Sequence, residues 1–226
     1  RDAVITEFDV KPQNISVIPL AASNIQNIPS FDFLEKYDID GLYFLFVSTL
    51  EPRKNLTRLL QAYDSLPLSI KGKMKLVIVG GKGWGEVNLL DPITQLDLIE
   101  CVKVLGRVDD TVLATLYANA QFLVMPSLYE GFGLPLVEAM SYGTPVLTAN
   151  NSSMPEVAGN AGLLVDALDV ESIADGLQEM ITNNELRERL AKNAKLNASR
   201  FSWDESAKKL ITVFEKAIDF RKNKSA

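Results

Sequence analysis

No histidine occurs among the 226 residues. That absence removes a Ser/His/Asp triad, a histidine general base and most zinc sites. Cysteine is nearly missing too: Cys101 stands alone, so no internal disulfide can form, which fits a reducing compartment. It lies in the apolar run Cys101-Val-Lys-Val-Leu105 and reads as a core residue rather than a nucleophile. No apolar run approaches the ~20 residues a membrane-spanning helix needs. The opening residues, Arg1 to Phe8, lack the pattern of a signal peptide. The chain opens on Arg rather than Met and is expected to be a piece of something longer. There is no internal repeat and no low-complexity tract. A net charge of −6 argues against a broad nucleic-acid-binding surface.

What is present is a large apolar fraction, 47%, enough for a substantial core. Strands and helices alternate along nearly the whole chain. Leu42-Tyr-Phe-Leu-Phe-Val47 reads as a central parallel strand buried on both faces. Further strands are expected at Ile15–Ile18, Lys75–Val79, Val102–Leu105, Gln121–Pro126, Pro145–Thr148 and Leu163–Val165. Between them helices are expected at Leu56–Ser65, Leu89–Glu100 and from Asp109 to Asn119. One more starts near Leu134, two lie between Ser172 and Ser199 with a break near Asn183, and the last runs from Trp203 to Phe220. Arg1 to Val10 reads as the tail of a helix. The pattern implies an α/β, Rossmann-like parallel sheet with helices on both faces. Residues 1–226 read as a single domain.

Ligands of such sheets sit at the carboxyl ends of the strands. Four loops lie there: Ser48–Asn55, Gly80–Gly85, Gly106–Asp109 and Ser127–Gly133. The last belongs to the most informative stretch, Ser127-Leu-Tyr-Glu130-Gly131-Phe132-Gly133-Leu134-Pro135-Leu-Val-Glu138. It is a strand end, a glycine corner and a helix start. Such a corner presents backbone N–H groups and a positive dipole end to an anion, most naturally a phosphate. Glu130 and Glu138 flank it. Carboxylates beside a phosphate site are best used to accept hydrogen bonds from sugar or ribose hydroxyls.

Arg53 and Lys54 in Glu51-Pro-Arg-Lys-Asn55 read as two cations at a helix start, against charge–dipole preference. Residues placed against local preference hint at function, and this pair suits a pyrophosphate. Gly80-Gly-Lys-Gly-Trp-Gly85 fits neither nucleotide-binding glycine pattern and reads as a flexible loop, with Lys82 a minor candidate for a phosphate contact. Asp109 reads as a plain helix cap. Asn151-Ser-Ser-Met-Pro-Glu156 is a capping or binding turn, and Trp203 a packing residue.

Glu130-x7-Glu138 in the setting Glu-Gly-Phe-Gly-Leu-Pro-Leu-Val-Glu-Ala-Met, followed by Gly143-Thr-Pro-Val146, resembles the signature of the retaining glycosyltransferases of the GT-B fold, group 1 or family 4. Thr49-Leu-Glu-Pro-Arg-Lys-Asn55 is similar to that family's donor-phosphate loop. Many members carry a further Arg early in this loop, where this chain has Ser48 and Thr49. The resemblance covers Ile15 to the last helix. It implies the donor-binding, C-terminal half of a GT-B enzyme, with the acceptor-binding N-terminal domain absent. It further implies transfer of a sugar from a UDP-, GDP- or ADP-linked donor, with retention and without a metal or other cofactor; no Asp-x-Asp triplet suggests one.

In that reading Arg53, Lys54 and the N–H groups of Phe132 to Leu134 neutralise the departing diphosphate. Glu130 serves the sugar and the anomeric carbon, and Glu138 the ribose. Gly131 and Gly133 shape the corner, and Arg107 and Val108 lie beside the base. The acceptor, a sugar, a lipid-linked glycan or a polysaccharide, falls to the missing domain. The fragment alone is expected to transfer nothing. The last helix is expected to show an exposed apolar strip. The resemblance places the protein in the cytoplasm, or at the inner membrane face through the missing domain, with mannosyl transfer for surface polysaccharides a lean. Two alternatives stay open: a nucleotide-sugar epimerase or phosphorylase-like enzyme, and a non-catalytic sugar-nucleotide-binding or regulatory module.

Overall fold

The computed structural model describes residues 2–23, 28, 30–84 and 90–224. Arg1, Gly85 and Leu89, which bound three of the expected segments, lie outside the described residues. The chain divides into two compact units, Arg1–Ala22 with Phe201–Ala226, and Ser23–Arg200.

The larger unit is built on six strands: β1 (Tyr43–Val47), β2 (Lys75–Val79), β3 (Val102–Gly106), β4 (Leu123–Met125), β5 (Val146–Ala149) and β6 (Gly162–Val165). Every pairing is parallel, in the order β3-β2-β1-β4-β5-β6. Its helices are α2 (Leu56–Ser65), α3 (Leu68–Lys71), α4 (Leu90–Gln95), α5 (Asp110–Asn119), α6 (Leu134–Ser141), α7 (Met154–Ala158), α8 (Val170–Thr182) and α9 (Asn184–Ala198). The order runs outward from β1 through β2 to β3, then restarts at β4 on the other side of β1. A crevice at the carboxyl ends of β1 and β4 follows from that reversal, and ligands of doubly wound sheets bind there.

The aromatic run of β1 is a strand because its alternate residues face two helix layers. Phe44 and Phe46 pack with Leu59 and Leu60 of α2 and Leu177 of α8. The Phe44 ring stacks on Phe122 at 5.0 Å and meets Tyr63 edge-on at 5.2 Å. Tyr43 points the other way, and its hydroxyl donates to the Leu116 carbonyl of α5 at 2.7 Å. Each fully buried Phe or Leu contributes about 1.5–3 kcal/mol, so burial on both faces overrides the missing polar–apolar alternation.

Two of the expected elements differ. Ile15–Ile18 is not a strand: Val17 is exposed and the segment pairs with no strand among the described residues. A β-branched run needs a partner edge to become a strand. The helix expected to reach Glu100 stops at Gln95. Asp97 takes a left-handed φ of 51° and Leu98 turns back to donate to the Ile93 carbonyl, which closes the helix and drops Leu98 into the core.

The smaller unit holds α1 (Asp2–Phe8) and α10 (Trp203–Lys224). Ser206 Oγ donates to the Pro19 carbonyl at 2.6 Å. Leu210, Ile211, Phe214, Ile218 and Phe220 of α10 are exposed, the apolar strip expected of the last helix. Trp203 is 49% exposed and so is not the packing residue it was expected to be.

Candidate active site

The two loops that border the crevice meet. After β1 the chain passes through a 3-10 turn, Pro52–Lys54, and Asn55 reverses it at φ 64° before α2 starts. Arg53 and Lys54 therefore sit in the last residues of the 3-10 turn rather than in the first turn of α2. The charge–dipole conflict expected from the sequence does not arise, because a turn's carboxyl end presents carbonyls. Asn55 is the reason the loop holds this path. It is buried, tolerates the left-handed region, and its Nδ2 donates to the carbonyls of Pro126 (2.9 Å) and Ala167 (2.7 Å). It ties the β1 loop to the ends of β4 and β6. Sequence reasoning passed it over, although an Asn between a turn and a helix is the signal.

The glycines after β2 brace the same loop. Leu50 N–H donates to the Gly81 carbonyl at 2.9 Å and Gly83 N–H to the Leu50 carbonyl at 3.2 Å. A Cβ on Gly80 would stand 1.7 Å from the Ser48 oxygen, and one on Gly83 2.6 Å from Glu51 Cγ. Close backbone approach explains these glycines. Lys82 bridges to Leu50 just beyond the carboxyl ends of β1 and β2, and its side chain is exposed.

Opposite stands the β4 corner. Leu128 N–H donates to the Arg53 carbonyl at 2.9 Å, and Arg53 Nη1 to the Tyr129 carbonyl at 2.7 Å. Arg53 Nη1 also pairs with Glu130 Oε2 at 2.8 Å, and Lys54 Nζ with Glu130 Oε1 at 2.6 Å. Both cations thus converge on one carboxylate that is only 8% exposed. Burial pushes the Glu130 carboxyl up, but the hydrogen bonds from Lys54 and Arg53 outweigh it and hold it below the usual carboxylate range. The Arg53 guanidinium is raised in turn, chiefly by its hydrogen bond to Glu130.

The polar turn before α7 holds the corner rather than capping a helix. Ser153 Oγ donates to the carbonyls of Glu130 (3.0 Å) and Phe132 (2.9 Å), and Ser152 Oγ accepts from Glu130 N–H at 3.1 Å. No side-chain cap bond is made at α7. Ser127, three residues before Glu130, is fully buried in the same corner.

Gly131 is exposed, and nothing lies within 4 Å of where its Cβ would be. Gly133 takes φ 99° and starts α6, with Leu134 the first helical residue and Pro135 in the first turn. A Cβ on Gly133 would reach 2.6 Å from Met154 Cε. Gly133→Ala is expected to lower stability by about 1–3 kcal/mol, read as a drop in the denaturant midpoint at unchanged slope. An unchanged midpoint would show that the corner relaxes freely.

Glu138 lies one turn further along α6, apart from the ion-paired triplet. Its Oε2 accepts from the Tyr117 hydroxyl of α5 at 2.7 Å. Burial raises the Glu138 carboxyl above its ordinary value; the Tyr117 hydrogen bond works against that, and Asp110 adds to it. Of the remaining expected residues, Arg107 is exposed and pairs with no carboxylate among the described residues, while Val108 is half-buried beside it. Asp109 caps α5, accepting from Val112 N–H at 2.9 Å.

The chain does contain one Asp-x-Asp triplet, Asp38-Ile-Asp40. It precedes β1, at the opposite end of the sheet from the crevice, and its carboxylates pair with Lys103 (2.7 Å) and Lys75 (3.1 Å). No helix among the described residues is long and apolar enough to cross a membrane.

Known proteins resemble the chain in sequence and in fold. The chain is 36% identical over 220 residues to the O-antigen chain mannosyltransferase B of Escherichia coli, covering 95% of this chain and 58% of that protein. Its fold matches sucrose-phosphate synthase from Thermosynechococcus elongatus with a TM-score of 0.80 at 24% identity, over 96% of this chain and 56% of that one. It also matches Anabaena HepE, solved in complex with UDP-glucose, with a TM-score of 0.70 at 24% identity, over 83% of this chain and 52% of that one. The chain spans about half the length of these proteins. The six-stranded parallel sheet is thus one Rossmann-like half of the GT-B fold. The profile of the family "Glycosyl transferases group 1" matches residues 32–197, a span that contains the Arg53–Lys54–Glu130 cluster and both glutamates of the corner; the chain belongs to that family.

Proposed function

We propose that this chain binds a nucleotide diphosphate sugar and, joined to an acceptor-binding half, transfers the sugar with retention at the anomeric carbon. The observation that carries the reading is the convergence of Arg53 and Lys54 on the corner before α6, at the reversal point of the sheet. Two side-chain cations and a helix start are what a departing diphosphate needs. They take the place a divalent metal would otherwise fill, so the transfer is read as metal-independent. The Glu130 carboxylate turns to the sugar hydroxyls and stabilises positive character at the anomeric carbon as the cations move to the phosphates. Glu138 accepts from the ribose hydroxyls, and Arg107 and Val108 border the base. The mannosyltransferase named among the relatives favours a mannosyl donor and a surface-polysaccharide acceptor. The work is placed in the cytoplasm.

Calorimetric titration of the chain with UDP, GDP, ADP and their sugar conjugates tests this. One nucleotide is expected to bind, and Glu138→Ala to weaken it about tenfold through loss of hydrogen bonds to a charged group. Because the folded Glu138 carboxyl is raised, binding is expected to fall with acid at a higher pH than an ordinary glutamate would set. Equal affinity in wild type and Glu138→Ala would refute the ribose role. Donor binding without transfer in the full-length protein would favour a non-catalytic sugar-nucleotide module.

A further inference from the structure

Glu138 borders a cavity of about 230 Å³ between α5 and α6, also lined by Asp110, Leu113, Ala114, Tyr117 and Tyr142. Two of these groups are carboxylates and none is a cation. Such a cavity repels phosphate. It suits the neutral, hydroxyl-bearing end of a ligand whose phosphates lie elsewhere.

Within it, Tyr117 is the most firmly held group. Its own carbonyl accepts from Thr144 Oγ1 at 2.6 Å. Its ring stacks on Tyr142 with centroids 6.2 Å apart and planes 14° from parallel. It is 2% exposed, and burial pushes its phenol well above the ordinary value, so it stays a donor. The preceding residue, Leu116, is itself pinned through its carbonyl to the hydroxyl of Tyr43 on β1. Tyr117 therefore has one position, set by the sheet. Glu138, in contrast, is a long side chain in the first turns of α6 whose other oxygen has no protein donor among the described residues.

We infer that Tyr117 is the positioning residue of the donor site: its hydroxyl holds Oε2 of Glu138 and so aims the carboxylate at a ribose cis-diol in the cavity. This rests on the reading of Glu138 given above. A ribose diol donates two hydroxyls from a fixed geometry, and a carboxylate matches them only when its plane is fixed too. Freed from Tyr117, the glutamate would sample several rotamers and its charge would be less well compensated. Nothing in the sequence marks Tyr117, because it sits on a different helix, 21 residues before its partner.

The test compares wild type, Tyr117→Phe, Glu138→Gln and the double variant. Each is titrated with whichever of UDP, GDP or ADP binds and with its 2′,3′-dideoxy counterpart. Tyr117→Phe keeps the ring, its stack and the backbone bonds, and removes only the hydroxyl. The wild-type preference for the ribonucleotide is expected to fall about tenfold in Tyr117→Phe. In the Glu138→Gln background the same change is expected to add nothing, since the coupling runs through the carboxylate.

A ribose preference that survives Glu138→Gln would overturn the ribose role of Glu138, and with it this inference. A preference lost in Glu138→Gln and kept in Tyr117→Phe would overturn the positioning role alone. A readout without nucleotide stands beside these. Carboxyl NMR should show the Glu138 midpoint moving to higher pH in Tyr117→Phe, because a donor to the charged form has been removed. The charged and titratable neighbours facing Glu138 are Asp110 on α5 and Tyr142 at the end of α6, and neither changes in this variant. An unmoved midpoint would also overturn the inference.

Discussion

Replacing Arg53 and Lys54 together by alanine is expected to do two things at once: abolish nucleoside-diphosphate binding and destabilise the fold. The binding loss follows from removing two charge-assisted donors to phosphate, each worth roughly 1.5–3 kcal/mol. Together they correspond to at least about a hundredfold in affinity. The stability loss has a different origin. Glu130 is buried, and its carboxylate is satisfied by these two cations. Stripping a buried charge of its partners costs about 3–5 kcal/mol.

Lys54 should account for most of it. Its side chain is 13% exposed against 36% for Arg53, so water screens the arginine's share. Adding Glu130→Gln to the double variant separates the two effects. The neutral amide removes the uncompensated charge, so the denaturant midpoint should return most of the way while binding stays lost. If nucleotide binding survives in the double variant, the phosphates bind elsewhere and the donor-site reading fails. If the midpoint does not move, the ion pairs are incidental.

Glu130→Gln by itself is the second large effect, and it points the other way for binding. The glutamine keeps the shape of the corner, and the Ser152 and Ser153 braces bond to backbone rather than to the side chain. What goes is the negative charge. In the full-length protein, turnover with the donor sugar is expected to fall on the order of 10²–10³-fold, the range seen when one electrostatic contributor to a transition state is lost. Affinity for the nucleoside diphosphate should not fall with it. Arg53 and Lys54 are then free of a competing anion and need no longer be shared between Glu130 and the phosphates. Single-turnover rates beside calorimetry on the same preparation check this pair of outcomes. Turnover unchanged in Glu130→Gln would show that the carboxylate acts only as a resting partner for the two cations.

Much of this protein was set by local sequence, and the reason is physical. The strand from Tyr43 to Val47 follows from an unbroken apolar run, the helix from Leu56 to Ser65 from the spacing of its apolar face, and the helix after Asp109 from its cap. Those signals are short-range, and the chain carries them in full. The same holds for the glycine corner: a Gly-Phe-Gly turn followed by Leu-Pro has few paths open to it. That Arg53, Lys54 and Glu130 lie in loops just past strands was also legible, and so was the place of Glu138 in the helix after the glycine corner.

Their arrangement was not. The sequence separates Lys54 from Glu130 by 76 residues, and only the placement of β4 beside β1 brings them to 2.6 Å. The strand order decides that, and the order depends on which faces find partners across the whole sheet. For the same reason Tyr117 carried no local mark, and the marks on Asn55, Ser152 and Ser153 did not say which groups they hold. Each acts through a group on another element, and its role exists only once the two elements are packed. Ile15–Ile18 shows the converse. Its composition is that of a strand, yet a strand needs a neighbour, and whether an edge is within reach is a property of the folded chain alone.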